Sequence, residues 1–317
     1  MEQFQNLKKW LKMENDSLRM YNRPIRGIYS TKDIKNGSHI LKIPSKYLIE
    51  KSRTQNKTLE KKLKNSNSDM AGHLFLESQK KNSFYKPYLD SMPTDFSDYL
   101  FFYKKDDLDL LKKTSLFSKS NYTFSEQYND IKHDAKIVYD YLKNKNKIHM
   151  SFCKFFPIFL KFRILVCSRI FGYTKNKSSE SGLVPYADLF NHSNDSNTKW
   201  YFDDSKDSFI LEATKDIPKK KEIFDSYGNK SNVQLLRYYS FTLPKNEKST
   251  LDIQHKNEDY SLDRASVIDD KSLKKKLQDK MIVMKDLLQK KKTKNRNVIN
   301  IYNDEIFISK SVLKNSK

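Results

Sequence analysis

Six glycines in 317 residues, no two closer than ten positions, set the tightest limit on what this chain can become. Gly27, Gly37, Gly72, Gly172, Gly182 and Gly228 are too far apart to form a phosphate-cradling loop. Such loops need several residues without a Cβ inside one turn, so that the backbone can close on a ligand. A GxGxxG dinucleotide turn, a Walker A loop and a GxSxG nucleophile elbow are therefore excluded. The HExxH helix of zinc peptidases is absent as well. Any chemistry must use a different cradle.

The chain nevertheless has the means to fold. It carries 20 Phe and 19 Tyr, and 37% of it is hydrophobic, so it is not a disordered chain. Lys and Arg number 61 against 39 Asp and Glu, a formal charge of +22. The lysines are dispersed, with only short clusters such as Lys219-Lys220-Lys221 and Lys290-Lys291-Lys292. Without a long Arg-rich stripe, a nucleic-acid partner is not favoured, and an acidic protein partner fits the charge equally well. Cys153 and Cys167 stand fourteen apart, so neither a disulfide framework nor a CxxC metal pair is expected. The expectation is a reduced, intracellular protein, with cytoplasm and nucleus undecided. The sequence MEQFQNLKKWLKMEND has no apolar signal region, and no stretch reaches the ~20 apolar residues of a membrane helix.

Along the chain, residues 1–20 read as a short helix, with Phe4, Leu7, Trp10, Leu11 and Leu18 near helical spacing. Ile25 to Ser30 and Ser38 to Ile43 read as strands separated by an Asn36-Gly37 turn. Residues 51–68 are polar and lack a period. Residues 69–143 carry helical patterns, and residues 151–172 an apolar helix interrupted by Lys161 and Arg163. Trp200-Tyr201-Phe202 and Phe209-Ile210-Leu211 flank Asp203 to Asp207 as a hairpin. Glu222 to Tyr227 reads as a further short strand. After Pro244 the chain is polar, with a basic amphipathic helix over 271–292. Its Leu273, Leu277, Met281, Met284, Leu287 and Leu288 suit a hydrophobic docking face. The order of elements predicts an α+β fold with segregated layers.

Five segments in order resemble one family. They are Arg26 to Gly37 followed by Ile40-Leu41-Lys42-Ile43-Pro44; Leu74-Phe75-Leu76-Glu77 with Ser83 to Pro93; Ser168-Arg169-Ile170-Phe171; Leu183 to Ser193, reading LVPYADLFNHS; and Glu222 to Asn232, reading EIFDSYGNKSN, continuing to Tyr239-Ser240-Phe241. Together they resemble SET-domain methyltransferases of the Rubisco large-subunit lysine methyltransferase type, over roughly residues 20–244. The resemblance implies a β-rich SET fold with a knot-like core, in which the chain around Asn191-His192 packs against the segment ending at Tyr227. It implies a split SET domain at 20–50 and 151–244, a helical insertion at 51–150, and a short, basic helical tail at 245–317 as a shortened substrate-binding lobe. This branch needs no Cys-rich zinc motif, and no metal is expected.

The same resemblance implies S-adenosylmethionine as methyl donor and a side-chain nitrogen of a protein, lysine first, as acceptor. His192 would lie near the adenine and Asn191 at the amino-acid part of the cofactor, with Ile25, Arg26 and Gly27 along it by backbone. Arg169 would bind the cofactor carboxylate or line the substrate channel. Asp188 would face the substrate amine. Tyr227 would stand at the methyl-transfer centre, and Tyr239 would be a second channel tyrosine, with Tyr238 its competitor if the register slips by one. Two departures from the family pattern matter. Ile25 stands where a glycine is usual, and Ser240 stands where a glycine usually follows the tyrosine, so a positive φ there would be strained. The other readings are a SET-fold module that binds protein or nucleic acid without turnover, and a histidine N-methyltransferase.

Overall fold

Phe4 and Leu7 bury one face of the first helix, Glu2–Trp10, and Leu11 is buried in the turn that follows it. That helix is shorter than its periodicity suggests. Lys12 takes a left-handed φ of 53° and stops it, and Leu18 opens a strand, Leu18–Tyr21. Leu18 and Met20 point inward while Arg19 and Tyr21 point outward, the two-residue period of a half-buried strand. It pairs antiparallel with Gly27–Ser30, Leu18 opposite Ser30 and Tyr21 opposite Gly27.

These elements belong to a computed structural model that describes residues 2–13, 17–21, 26–118, 124–291 and 293–316. It comprises two units, Met1–Pro93 with Ile131–Gly228, and Thr94–Asp130 with Asn229–Lys317. In the first unit the strand His39–Pro44 pairs with Ser208–Ala213, which pairs with Thr198–Asp203. The last two form the expected hairpin: the Asp203 carboxylate accepts the Lys206 N–H, and Asp207 closes the turn at φ 42°. A second three-stranded sheet runs Ile49–Glu50, Ser178–Leu183, Ile170–Lys175. The helices Asn67–Gln79 and Phe152–Arg169 pack through Phe75 and Phe155, whose ring centroids are 4.8 Å apart. Arg163 does not break the apolar helix. It is buried, donates to Ser68 Oγ, and Ser68 in turn donates to the buried Asp134. The polar stretch 51–68 forms two single-turn helices, Lys51–Thr54 and Lys57–Glu60, before the longer helix begins.

The second unit is built on two long helices, Lys271–Lys291 and Arg296–Asn315. Asn295 caps the latter, its side chain accepting the Asn297 and Val298 N–H groups. One apolar cluster joins Leu111, Leu116, Leu236, Met284 and Tyr302; another joins Leu251, Leu262, Leu273, Leu277 and Ile308. Leu273, Leu277 and Met284 are thus core residues, so the stripe that suited a docking face is covered within its own unit. Leu251–His255 and Glu258–Leu262 form a hairpin that the polar sequence after Pro244 concealed. Lys256 and Asn257 both take positive φ in its two-residue turn, as a tight hairpin requires.

Asn232 ties this unit together. It is buried, its amide donates to the Leu243 carbonyl and the Asp304 carboxylate, and its oxygen accepts the Leu243 N–H. It also begins the helix Asn232–Tyr239, which Ser231 and Gln234 cap reciprocally. That helix ends at Ser240, whose φ is 68°. Serine bears a Cβ in a conformation that glycine adopts freely. Ser240→Gly is therefore expected to stabilise the protein by roughly 0.5–1 kcal/mol, read as a raised urea midpoint with an unchanged slope.

Candidate functional site

The site in the first unit begins on the strand Gly27–Ser30. Tyr29 bridges to Glu222, the Ile223 N–H donates to the Ile28 carbonyl at 2.8 Å, and the Ser30 N–H donates to the Lys221 carbonyl at 3.0 Å. The approach is so close that a Cβ on Gly27 would lie 2.3 Å from Glu222 Oε1 and 3.1 Å from Asn191 Nδ2. A methyl group here would displace the Glu222 carboxylate. Asn191 fills the junction. Its Nδ2 donates to the Arg26 carbonyl at 2.6 Å and to Glu222 Oε1 at 2.8 Å.

Asn191–His192 then pairs in parallel with Phe224–Asp225, Phe224 opposite Asn191 and Asp225 opposite His192. This register carries the chain directly to Tyr227. The Tyr227 N–H donates to His192 Nδ1 at 3.0 Å, which makes Nδ1 the acceptor nitrogen of the ring. The two rings stack with centroids 5.2 Å apart and planes 22° from parallel. The Tyr227 hydroxyl donates to the Phe190 carbonyl at 2.8 Å. Gly228 follows at φ 88°, turning the chain away immediately after the tyrosine.

A charged group lies beside this pair in sequence. Arg169, at the end of its helix, donates through Nη1 to Asp188 Oδ2 and to the Asp188 carbonyl, each at 2.9 Å. The fully buried Tyr88 donates its hydroxyl to the same Oδ2 at 2.9 Å. Burial raises the Tyr88 phenol well above its ordinary pKa, and the neighbouring Asp188 charge adds to this. The turn into Asp188 is strained: Tyr186, a buried aromatic, sits at φ 73° and ψ −39°.

Of the residues singled out from the sequence, Arg26, Gly27, Asn191, His192 and Tyr227 thus form one connected cluster, and Arg169 pairs with Asp188. Tyr239 ends the helix Asn232–Tyr239 of the second unit, with its ring 6.5 Å from that of Phe241. Ile25 lies outside the described residues. Two groups were not singled out. Glu222 holds Asn191, and Asp225 is a buried carboxyl whose pKa is pushed up to about 7 by desolvation, against the opposing bonds from the Ser226 N–H and the Thr198 hydroxyl. Nothing in a Phe-Asp-Ser tripeptide marks such an Asp as buried.

The SET-domain family profile matches residues 25–228, the stretch that contains this cluster. The chain belongs to the SET-domain family. Its fold is shared with the crystal structure of the SET domain of LSMT bound to lysine and AdoHcy, at a TM-score of 0.70 and 16% identity, covering 99% of this chain and 90% of that one. The protein-lysine N-methyltransferase EFM1 of Saccharomyces cerevisiae is 26% identical over 195 residues, which is 50% of this chain and 33% of that protein. The actin-histidine N-methyltransferase of Homo sapiens is 24% identical over 245 residues, 72% of this chain and 39% of that protein. The chain therefore spans between a third and two fifths of the length of these curated relatives. Among the described residues, no helix is long and apolar enough to cross a membrane.

Proposed function

We propose that this SET-domain protein is an S-adenosylmethionine-dependent methyltransferase that acts on a side-chain nitrogen of a protein substrate, lysine in the first instance. The observation that carries the reading is the Asn191–His192–Tyr227 cluster, joined by the parallel pairing to Phe224–Asp225 and by the Tyr227 hydroxyl on the Phe190 carbonyl. The residues suit the cofactor. Arg26 and Gly27 would lie along it by backbone, and the missing Cβ of Gly27 leaves room for the Glu222 carboxylate that holds Asn191. Asn191 would take the amino-acid part and His192 the adenine. When bound, S-adenosylmethionine supplies a methyl group activated by a sulfonium.

The chain's own groups then have three tasks. Tyr227 orients: its proton is held by the Phe190 carbonyl, which leaves the phenol oxygen as an acceptor for weak C–H···O contacts or an amine hydrogen. Asp188, held by Arg169 and Tyr88, is assigned to the entering amine. Arg169 is placed with it on the substrate side, because its guanidinium is already paired there. Dry, aromatic surroundings would favour the neutral amine of a lysine whose free pKa is near ~10.4. Recruitment of the protein substrate is assigned to the second unit, and the charge of +22 favours an acidic surface. Two free cysteines suit a reducing, intracellular setting.

Incubation with labelled S-adenosylmethionine and whole-cell extract, followed by mass spectrometry of the modified residues, tests the reading. Methyl-lysine on a protein, undiminished by a chelator, is the expected result. Methyl-histidine would move the assignment to the other nitrogen. Cofactor binding without transfer to any protein would point to a non-catalytic SET module.

A further inference from the structure

We infer that Glu222 is a positioning residue of the cofactor cradle, setting which end of the Asn191 amide faces the ligand. The inference rests on the cofactor reading above and deepens it. Asn191 Nδ2 lies 2.6 Å from the Arg26 carbonyl and 2.8 Å from Glu222 Oε1. A carbonyl and a carboxylate can only accept, so the NH₂ must face them and both its hydrogens are used there. The amide oxygen is what remains. It is an acceptor, suited to the α-ammonium group of an amino acid and unsuited to its carboxylate.

Glu222 is itself fixed. Its second oxygen accepts the Tyr29 hydroxyl at 3.0 Å, its main chain bridges to Tyr29, and its carbonyl accepts Asn197 Nδ2 at 3.0 Å. The Asn197 oxygen accepts the Phe224 N–H at 2.7 Å, one residue into the strand that leads to Tyr227. The absent Cβ of Gly27 gives the Glu222 carboxylate its place, since a methyl group there would displace it. Without the carboxylate the amide loses one of two partners, and the flipped orientation, which presents NH₂ to the ligand, becomes accessible.

The test is calorimetric titration of S-adenosylhomocysteine into the full chain and two variants. Glu222→Met keeps the side-chain length and removes both acceptors. Glu222→Gln keeps one acceptor for Asn191, while its own NH₂ can donate to the rotatable Tyr29 hydroxyl. The expected results are a loss of about tenfold or more for Glu222→Met and affinity within about threefold of wild type for Glu222→Gln. A residue with a merely structural role would lower the melting temperature of Glu222→Met without changing the affinity of the folded protein, and that result overturns the inference. Equal losses for Met and Gln also overturn it, because charge and not orientation would then be acting. If Glu222→Met fails to fold, the Asn191 side-chain amide of the wild type decides: both NMR signals resolved and slow to exchange support the inference, and fast exchange overturns it. Wild-type protein that does not bind S-adenosylhomocysteine overturns the cofactor reading itself, an outcome distinct from any variant result.

Discussion

Tyr227→Phe is expected to lower the single-turnover rate of methyl transfer by roughly 100-fold or more, at saturating cofactor, while changing cofactor affinity little. The substitution removes one oxygen. It keeps the ring that stacks on His192, and it keeps the backbone N–H that donates to His192 Nδ1. What disappears is a phenol oxygen locked by its own proton onto the Phe190 carbonyl. An acceptor held in that way is preorganised, and it matters most when the amine, the methyl carbon and the sulfur come into line. His192→Ala should behave differently, weakening cofactor binding first. A structural role for Tyr227 would instead give a small fall in melting temperature and near-normal rates. A Tyr227→Phe protein with the wild-type single-turnover rate would remove Tyr227 from the reaction centre.

The second large effect concerns Asp225 and appears in stability. This carboxyl is 1% exposed, and desolvation pushes its pKa up from 3.8 to about 7. Between those values the folded protein holds a proton that the unfolded chain has released. Stability therefore falls as pH rises from about 4 to about 7 and then levels off. A shift of about three units corresponds to roughly 4 kcal/mol at the upper limit. Asp225→Asn cannot ionise, and its side-chain oxygen can still accept the Ser226 N–H that Asp225 Oδ1 accepts at 2.7 Å. The variant is expected to be more stable than wild type by about 2–4 kcal/mol at pH 8 and nearly equal to it at pH 4. Urea unfolding at the two pH values measures the difference. Parallel pH profiles for the two proteins would show that Asp225 is solvated or paired in solution. Because Asp225 lies opposite His192 and two residues before Tyr227, its ionisation loads the strand that carries the site.

Local patterns were legible where they reflect a single element. The hairpin around Asp203 to Asp207, the apolar helix after Ser151 and the helix beginning at Lys271 all follow from periodicity and turn chemistry. Elsewhere periodicity misled. Leu18 continues a helical spacing, yet the chain turns at Lys12 and Leu18 enters a strand, because pairing with Gly27–Ser30 satisfies its backbone. The hairpin Leu251–Leu262 was hidden in a polar stretch whose Leu251 and Ile253 alternate over too few residues to stand out. The stripe of Leu273, Leu277 and Met284 was readable as apolar, and only its packing within the second unit decided that it is core.

Residue identities alone determined that no glycine-rich phosphate loop can form, and the ordered motifs around Asn191-His192 and Tyr227-Gly228 pointed to the SET family and to most members of the cluster. Tertiary structure decided what those residues do to one another. Glu222 and Asn191 stand 31 positions apart, and no local pattern records that one carboxylate oxygen will meet one amide nitrogen. The same holds for Tyr88 and Asp188, 100 positions apart. The physical reason is range. Periodicity and turn preference act over a few residues, whereas the orientation of an amide, the locking of a phenol proton and the desolvation of a carboxyl depend on which distant groups the folded chain brings within 3 Å.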